Sequence, residues 1–199
     1  MSPSVPKLAY DLSRDVQTLA AMASNLTPYM YEDAVFGHLS SDLPRLTLGG
    51  VLLRLYRLSR LEAYLDDEQR TLVRDAQINF EAERARWAVH YEQKLQRELE
   101  TRVHALEQFL ADCNREQGCA AEYPMQAEKR TMIAHLREEA AEHDVLSEEI
   151  ASRIGQLDAL VRQLTQSGPF VYTDERLTEA YPQARFWWLY RHIAENRRS

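Results

Sequence analysis

The feature that most constrains this sequence is a stretch of about fifty residues, from Asp66 to Gln117, that contains neither proline nor glycine. These two residue types are the ones that most readily end a helix, so nothing in the stretch forces a helix to stop. A continuous helix of this length would be about 75 Å long, because each residue adds about 1.5 Å. We therefore expect a mainly α-helical protein that is built around one long helix.

Apolar spacing in and after this stretch predicts a partner helix. A heptad series begins at Leu99, and a second series covers about 124–166. The segment between the two, 114–124, has the composition of a hairpin turn. If the second helix folds back antiparallel, paired residue numbers sum to about 241, and apolar residues meet except at a partly polar layer made by His143 and Ser147. This register predicts that Trp87 is buried against Ile154.

The other helical segments are shorter and lie towards the two ends of the chain. Apolar periodicity and helix start signals predict helices at 7–26, from Thr27, at 51–65 and at 174–196, with 42–50 as a linker and a break in the last stretch at Tyr181–Pro182. We expect one all-α domain, 1–199, in which a long antiparallel helical hairpin forms a coiled-coil arm. The N- and C-terminal helices pack at the open end of the hairpin as a bundle. In this arrangement the body comprises 7–95 and 150–196, and the arm comprises 96–149.

Composition and charge exclude several classes of protein. The chain is 45% hydrophobic and 28% charged, which is typical of a globular protein. Residues 62–149 carry 21 acidic and 11 basic side chains, a balance of −10 that disfavours nucleic-acid binding. No apolar run approaches the roughly 18 residues of a membrane span, and the first residues do not resemble a signal peptide. We therefore expect a cytoplasmic protein that binds neither nucleic acid nor membrane.

The sequence carries no recognisable catalytic or metal-binding motif. No phosphate-binding loop, dinucleotide fingerprint or nucleophile elbow occurs, and none of the six histidines completes a Glu-x-x-His pair. The helical pairs Glu100/His104 and Glu139/His143 remain as metal candidates, but glutamate-rich helices produce such pairs by chance. We predict no metal, no cofactor and no catalytic residues.

Two cysteines, Cys113 and Cys119, flank the predicted turn with five residues between them. Nothing nearby supplies the base that nucleophilic catalysis by a thiol requires, and two cysteines are too few for a zinc site. A regulatory disulfide across the turn is sterically possible. Two free thiols are the favoured interpretation, because disulfides are rare in a reducing compartment.

Three arginines recur at three-residue spacing, Arg54, Arg57 and Arg60, in the apolar helix predicted at 51–65. One interpretation is that their stems lie on the core while their guanidinium groups reach water. The alternative is an anion site made by the three side chains. We favour the first, because no glycine-rich phosphate loop adjoins them.

Tryptophans, tyrosines and arginines provide the candidate ligand or partner surface. These residue types dominate the binding energy of protein interfaces, although aromatic runs are more often part of a core. The run at 186–190 therefore has two interpretations, core or binding surface. The candidate residues are Trp87, Arg185, Trp187, Trp188, Tyr190 and Arg191.

Three classes of function remain open. The leading one is a non-enzymatic protein–protein interaction or scaffold protein, a dimer that binds a protein partner through helical surfaces. The second is a small-molecule-binding or sensor bundle with a pocket among Trp87, Trp187, Trp188 and Tyr190. The third is a carboxylate-dependent metalloenzyme.

Overall fold

A computed structural model of the protein describes residues 5–40, 42–115 and 119–193. It is mostly helical, with 69% of residues in helices and little strand, so the all-α prediction is confirmed. The hairpin arrangement stays a prediction. The eight α-helices of the described residues are α1 (Leu12–Ser24), α2 (Leu26–Tyr31), α3 (Leu48–Arg60), α4 (Asp67–Arg86), α5 (Ala88–Arg115), α6 (Tyr123–Glu142), α7 (Glu148–Leu164) and α8 (Leu177–Ala180).

Extended structure is confined to short pieces. The strands β1 (Gln166–Ser167) and β2 (Arg191–His192) form an antiparallel two-stranded sheet. Two short 3₁₀-helices cover Glu62–Tyr64 and Trp187–Tyr190. Within the described ranges, the sheet has no third strand.

The described residues form two compact units. Unit 1 comprises the described parts of 1–10, 100–133 and 147–199, and unit 2 comprises those of 11–99 and 134–146. The predicted single domain, with its body and arm, stays a prediction.

Each unit has a core of its own, and buried aromatic rings pack together in the core of unit 1. In unit 2, α1 packs against α3 and α4, and Leu19 and Leu58 are fully buried. In unit 1, the fully buried ring of Tyr181 packs between Tyr172 and Phe186, at centroid distances of 6.4 and 4.9 Å.

The first helix begins later than the predicted 7–26. The side chain of Asp11 caps α1 by accepting a hydrogen bond from the backbone N–H of Arg14 at 3.0 Å. Leu8 is in an extended segment instead, and its N–H donates to the carbonyl of Val171 at 2.7 Å. The apolar spacing was correct, but a capping residue inside the periodic stretch sets the boundary.

The predicted linker at 42–50 is wrong at its C-terminal end, because the glycine pair lies in the first turn of α3. Thr47 caps this helix by accepting a hydrogen bond from the N–H of Gly50 at 2.9 Å. The fully buried carboxylate of Glu98 accepts from the N–H groups of Leu48 at 2.7 Å and Gly49 at 3.0 Å. Side chains therefore satisfy the free N–H groups at the start of α3.

The long proline-free stretch is two helices, not one. Asp66 and Gln69 form a capping box at the start of α4, as expected from the sequence. The helical geometry is interrupted at Trp87, where φ is −114° and ψ is 35°. Hydrogen bonds of helical type nevertheless continue through this point, since the N–H of Tyr91 donates to the carbonyl of Trp87 at 2.8 Å. The interruption is thus a local distortion. The second helix, α5, continues to Arg115, and the predicted end at 117 lies outside the described residues.

The predicted continuous return helix, 124–166, is wrong. It is divided into α6 and α7 by a connection in which Asp144 adopts a left-handed conformation with φ of 56°. The side chain of Ser147 caps α7 by accepting from the N–H of Ile150. The register based on a sum of about 241 also fails for α7, because Arg153 pairs with Glu107 at 2.7 Å.

Within the described residues, the predicted break at Tyr181–Pro182 is confirmed, whereas the helix predicted after it, up to 196, is wrong. After the short helix α8, Tyr181 precedes Pro182, which disfavours a helical conformation there. The next residues fold into the 3₁₀-helix Trp187–Tyr190 and then β2. Residues 194–196 lie outside the described residues.

Candidate functional site

The arginines at 54 and 57 bind an anion that the protein itself supplies. The carboxylate of Asp15 accepts a hydrogen bond from Nε of Arg57 at 2.5 Å, and a second nitrogen of Arg57 contacts its other oxygen. Nε of Arg54 lies 3.0 Å from the same carboxylate. All three residues are buried, with exposures of 5% for Asp15, 9% for Arg54 and 4% for Arg57. The expectation that both guanidinium groups reach water is therefore wrong, because a buried carboxylate replaces the water.

The third arginine of the series lies elsewhere. Arg60 is exposed, and its guanidinium group stacks on the ring of Tyr56 at 5.5 Å from the centroid. It is the one of the three whose guanidinium group reaches solvent, as the sequence suggested for all of them. The structure brings Arg54 and Arg57 together at Asp15 and leaves Arg60 at the surface.

The indole of Trp188 belongs to the core of unit 1. It is 5% exposed, and its Nε1 donates to Oγ1 of Thr131 at 2.9 Å. Its carbonyl accepts a hydrogen bond from the hydroxyl of Tyr123 at 2.9 Å, and the guanidinium group of Arg130 lies 4.2 Å from the ring centroid. These contacts support the core interpretation for Trp188.

A small cavity lies beside Trp188 and has room for about one water molecule. The buried Arg130 binds Asp158 through two nitrogens, at 2.7 and 2.8 Å, while its Nη1 lacks a hydrogen-bond partner among the described residues. A bound water would satisfy this nitrogen, but a drug-sized ligand needs several hundred cubic ångströms. The residues that line the cavity are Leu106, Leu110, Tyr123, Gln126, Ala127, Arg130, Val161 and Trp188.

The neighbouring Trp187 is half-buried, and the guanidinium groups of two arginines lie close to its ring. The guanidinium carbon of Arg162 is 3.9 Å from the ring centroid of Trp187, and that of Arg191 is 5.8 Å from it. Arg191 is held by Thr165, because its Nε donates to Oγ1 at 2.6 Å and its Nη2 donates to the carbonyl at 2.5 Å. We call Arg162, Trp187 and Arg191 the Trp187 patch.

The other two candidates of the aromatic run are separate from this patch. Arg185 is exposed, with its guanidinium carbon 5.2 Å from the ring centroid of Phe186. The half-buried Tyr190 donates its hydroxyl hydrogen to the carbonyl of Tyr181 at 2.7 Å, and burial raises the pKa of Tyr190 above its ordinary value. Both side chains are thus held by contacts within unit 1.

Trp87 is half-buried in unit 2, where the sequence predicted that it is buried. Its indole Nε1 donates to the carboxylate of Glu83 at 3.1 Å, which fixes the orientation of the ring. The rings of Tyr31 and His90 meet it edge-on at 5.8 and 5.6 Å, and the guanidinium group of Arg86 lies 5.4 Å from its centroid. We call Tyr31, Arg86, Trp87 and His90 the Trp87 cluster.

The contact predicted between Trp87 and Ile154 loses its basis, because it was derived from the register that fails for α7. Sequence reasoning missed Tyr31, which is 69% exposed although it is a large aromatic residue. A signal was present, because Tyr31 follows a helix start at Pro28 and precedes the acidic pair Glu32 and Asp33. Tyrosine is intermediate between the residue types that are usually buried and those that are usually exposed, so its neighbours can favour the surface.

A polar centre in unit 2 surrounds the carboxylate of Glu139. One oxygen of Glu139 accepts from the hydroxyl of Tyr91 and from Nη1 of Arg84, both at 2.7 Å. His143 approaches the same oxygen at 3.4 Å and the carboxylate of Glu92 at 3.6 Å. Burial, followed by the charge of Glu139, raises the pKa of Tyr91 far above its ordinary value. The hydrogen bonds of this carboxylate serve the packing of α4, α5 and α6, so they leave it poorly placed to ligate a metal.

A buried lysine in unit 2 is likewise used within the fold. Nζ of Lys94 donates to the carbonyls of Glu32 at 2.7 Å and Ala34 at 2.5 Å, and it lies 4.2 Å from the ring centroid of Tyr29. Burial lowers the pKa of Lys94 below its ordinary value. Its hydrogen bonds hold the loop after α2 against α5.

Metal-binding and membrane-spanning features are absent from the described ranges. No three histidine, cysteine, aspartate or glutamate side chains of these ranges lie together in a way that could hold a metal ion. No helix of these ranges combines the length and the apolar character that a membrane span needs.

The two cysteines form a disulfide, so the prediction of free thiols is wrong. Cys113 lies near the end of α5, and Cys119 lies in the turn before α6. The turn brings their Cα atoms to 5.6 Å, within the range of about 4.4–6.8 Å that disulfides require. The alternative of a disulfide across the turn is the one that the structure contains.

Neither protein-family models, nor curated proteins, nor solved structures provide a match for this chain. The fold and its side chains define the class only broadly, as a mainly helical protein with aromatic and arginine side chains grouped at its surface. The function is therefore inferred from the geometry of those side chains.

Proposed function

We propose that this protein is a non-enzymatic interaction protein and that it binds another protein through the Trp87 cluster. The observation that carries the proposal is Tyr31, which is 69% exposed while its ring packs against Trp87. Tryptophan, tyrosine and arginine are the residue types that most often dominate the binding energy of interfaces. The Trp87 cluster contains all three of these residue types at one place on the surface.

The contacts inside the Trp87 cluster favour binding because they fix its shape in advance. The hydrogen bond from Trp87 to Glu83 and the edge-on contact with Tyr31 restrict both rings before a partner arrives. A partner therefore loses less free energy in ordering these side chains. Covering an exposed aromatic side chain with apolar groups contributes roughly 1.5–3 kcal/mol. Arg86, whose side chain is 65% exposed, supplies a charged rim beside the rings.

The partner in this proposal is a second copy of the chain, which forms a homodimer through helical surfaces. The expectation comes from the amphipathic helices, which offer apolar faces to other helices. The cytoplasmic location expected from the sequence is not part of this proposal, because the disulfide between Cys113 and Cys119 favours an oxidising compartment.

The hairpin is proposed for the part of α5 and α6 that lies in unit 1. Leu106 and Leu110 of α5 line the same cavity as Tyr123 and Ala127 of α6, which supports side-by-side packing of the two helices. The disulfide joins the end of α5 to the turn before α6 and supports the same arrangement. A coiled-coil arm would extend this packing along the rest of both helices.

Sedimentation velocity of the purified chain over a range of concentrations tests the dimer and its surface. We expect the wild type to dimerise and Tyr31→Ala to weaken dimerisation without loss of helix content, since the side chain is 69% exposed. Tyr64→Ala is the matched control, because Tyr64 is also a partly exposed tyrosine of unit 2, at 41%. A wild type that stays monomeric, or equal weakening by both variants, would contradict the proposal.

A further inference from the structure

Three arginines of unit 1 bind a carboxylate, whereas the two arginines of the Trp187 patch contact none in the part of the chain that the structure describes. Arg130 binds Asp158, Arg153 binds Glu107, and Arg176 binds Asp174, each through at least two nitrogens. The residues that the structure describes place no carboxylate within ion-pair distance of Arg162 or Arg191. Among the described residues, therefore, no carboxylate pairs with either positive charge of the patch.

Both guanidinium groups are held close to the same indole ring. That of Arg162 lies 3.9 Å from the centroid of Trp187, and that of Arg191 lies 5.8 Å from it. Two like charges in such proximity repel each other unless an anion lies near both. The ring itself is only half-buried, so an apolar group of a ligand has access to it beside the two charges.

The backbone around the patch compensates the charges only partly. Arg191 donates through Nη2 to the carbonyls of Thr165 at 2.5 Å and Arg162 at 3.3 Å, which are acceptors at the C-terminal end of α7. This end of a helix carries a partial negative charge that favours cations. The hydrogen bonds fix Arg191 in place, whereas Arg162 is exposed and contacts the indole face through its guanidinium group. The N–H groups of Arg162 therefore remain suited to binding carboxylate oxygens.

We propose that the Trp187 patch binds an acidic peptide segment of a separate partner protein. Carboxylates of the segment pair with Arg162 and Arg191, and an apolar side chain between them covers the ring of Trp187. The charge of the patch selects glutamate- or aspartate-rich segments, and the indole selects against a purely ionic ligand. This site goes beyond the proposed dimer surface, because it lies in unit 1 and selects its partner by charge.

Nuclear magnetic resonance of the ¹⁵N-labelled full-length chain tests the proposal. The probe is an acetylated and amidated pentapeptide of alternating glutamate and leucine, and its control has glutamine in place of glutamate. We expect saturable shifts of the Trp187 indole N–H signal with the glutamate peptide and a much weaker response to the glutamine peptide. The indole signal of Trp87, in the other unit, should stay unchanged.

Two substitutions of one arginine separate charge from geometry. Arg162→Gln should weaken binding of the glutamate peptide roughly fivefold, the effect of losing one exposed ion pair. Arg162→Lys should restore part of the affinity, because it keeps the charge but loses the planar donor group. Arg74→Gln, which removes one exposed arginine from unit 2, is the matched control and should leave the affinity unchanged.

Three results would overturn the proposal. The first is the absence of a saturable shift at Trp187, and the second is equal binding of the glutamate and glutamine peptides. The third is concentration-dependent self-association that Arg162→Gln abolishes, since the acidic segment would then come from a second copy of the chain. This test does not depend on the Trp87 cluster. If Tyr31→Ala does not weaken dimerisation, the shift of the Trp187 indole N–H signal with the glutamate peptide is still expected.

Discussion

Replacing the buried carboxylate of Asp15 by an apolar side chain of similar size is expected to destabilise unit 2 strongly. Asp15 is 5% exposed and binds two arginines that are themselves buried, Arg54 at 9% and Arg57 at 4% exposure. Asp15→Leu removes the negative charge and leaves both guanidinium groups in the core. The cost therefore comes mainly from uncompensated positive charge rather than from lost packing.

The expected magnitude is about 3–5 kcal/mol, the usual cost of removing one member of a buried ion pair. The structure limits the cost at Arg54, because Nη1 of that side chain also donates to the carbonyl of Gly50 at 2.9 Å. A loss of this size is a large part of the roughly 5–15 kcal/mol by which domains are stable. The triple variant Asp15→Leu, Arg54→Met, Arg57→Met removes all three charges and should recover most of the loss.

Urea denaturation followed by circular dichroism measures these differences in the free energy of unfolding. Asp33→Ala is the matched control, because Asp33 forms an ion pair with Arg97 at 3.6 Å in the same unit while its side chain is 98% exposed. We expect the control to leave the transition midpoint within experimental error. If Asp15→Leu behaves like the control, or the triple variant is less stable than the single one, burial does not make this carboxylate essential.

Three further predictions concern unit 1. The double variant Cys113→Ser, Cys119→Ser should fold but melt about 4–8 °C lower in a calorimetric scan, because a short disulfide loop contributes roughly 2 kcal/mol. Hydrogen bonds from Arg153 hold the pKa of Glu107 below its ordinary value. The stability that this pair contributes is therefore present above the pKa of glutamate in the unfolded chain, about 4.3. It is lost as the pH falls through the lower pKa of Glu107 in the folded protein. Urea midpoints should therefore differ between wild type and Arg153→Gln at neutral pH and converge below about pH 4. Gly168→Ala should lower the free energy of unfolding by roughly 1–3 kcal/mol, measured in urea, because an added Cβ overlaps the imidazole ring packed against this glycine.

The high helix content could be predicted from the sequence, whereas the ends of the helices could be predicted only where a capping residue was recognised. The pair Asp66 and Gln69 predicted the start of α4 because both side chains act within four residues of each other. The start of α7 carries a similar signal, since Ser147 precedes two glutamates, but the heptad spacing runs across it and favours a continuous helix. A capping serine and a left-handed residue at Asp144 outweigh apolar periodicity when the two conflict.

The arginine series shows what local sequence cannot provide for a site. Arg54 and Arg57 suggested an anion, and an anion is present, but Asp15 supplies it from 42 residues before Arg57. Asp15 also carried no signal of burial, because an aspartate in an amphipathic helix normally faces solvent. A pairing between distant residues is set by how α1 packs on α3, which helix periodicity alone does not determine.

Trp187 and Trp188 show why the candidate surface required coordinates. Consecutive residues of a 3₁₀-helix point about 120° apart, so one of two adjacent large side chains faces the core while the other does not. Trp188 is 5% exposed and bonded to Thr131, whereas Trp187 lies under the guanidinium group of Arg162. Composition ranks the two residues as equal candidates, and only backbone geometry separates them. A surface that selects a partner is therefore expected at Trp187, and substitution of Trp188 should be tested as a change of core packing.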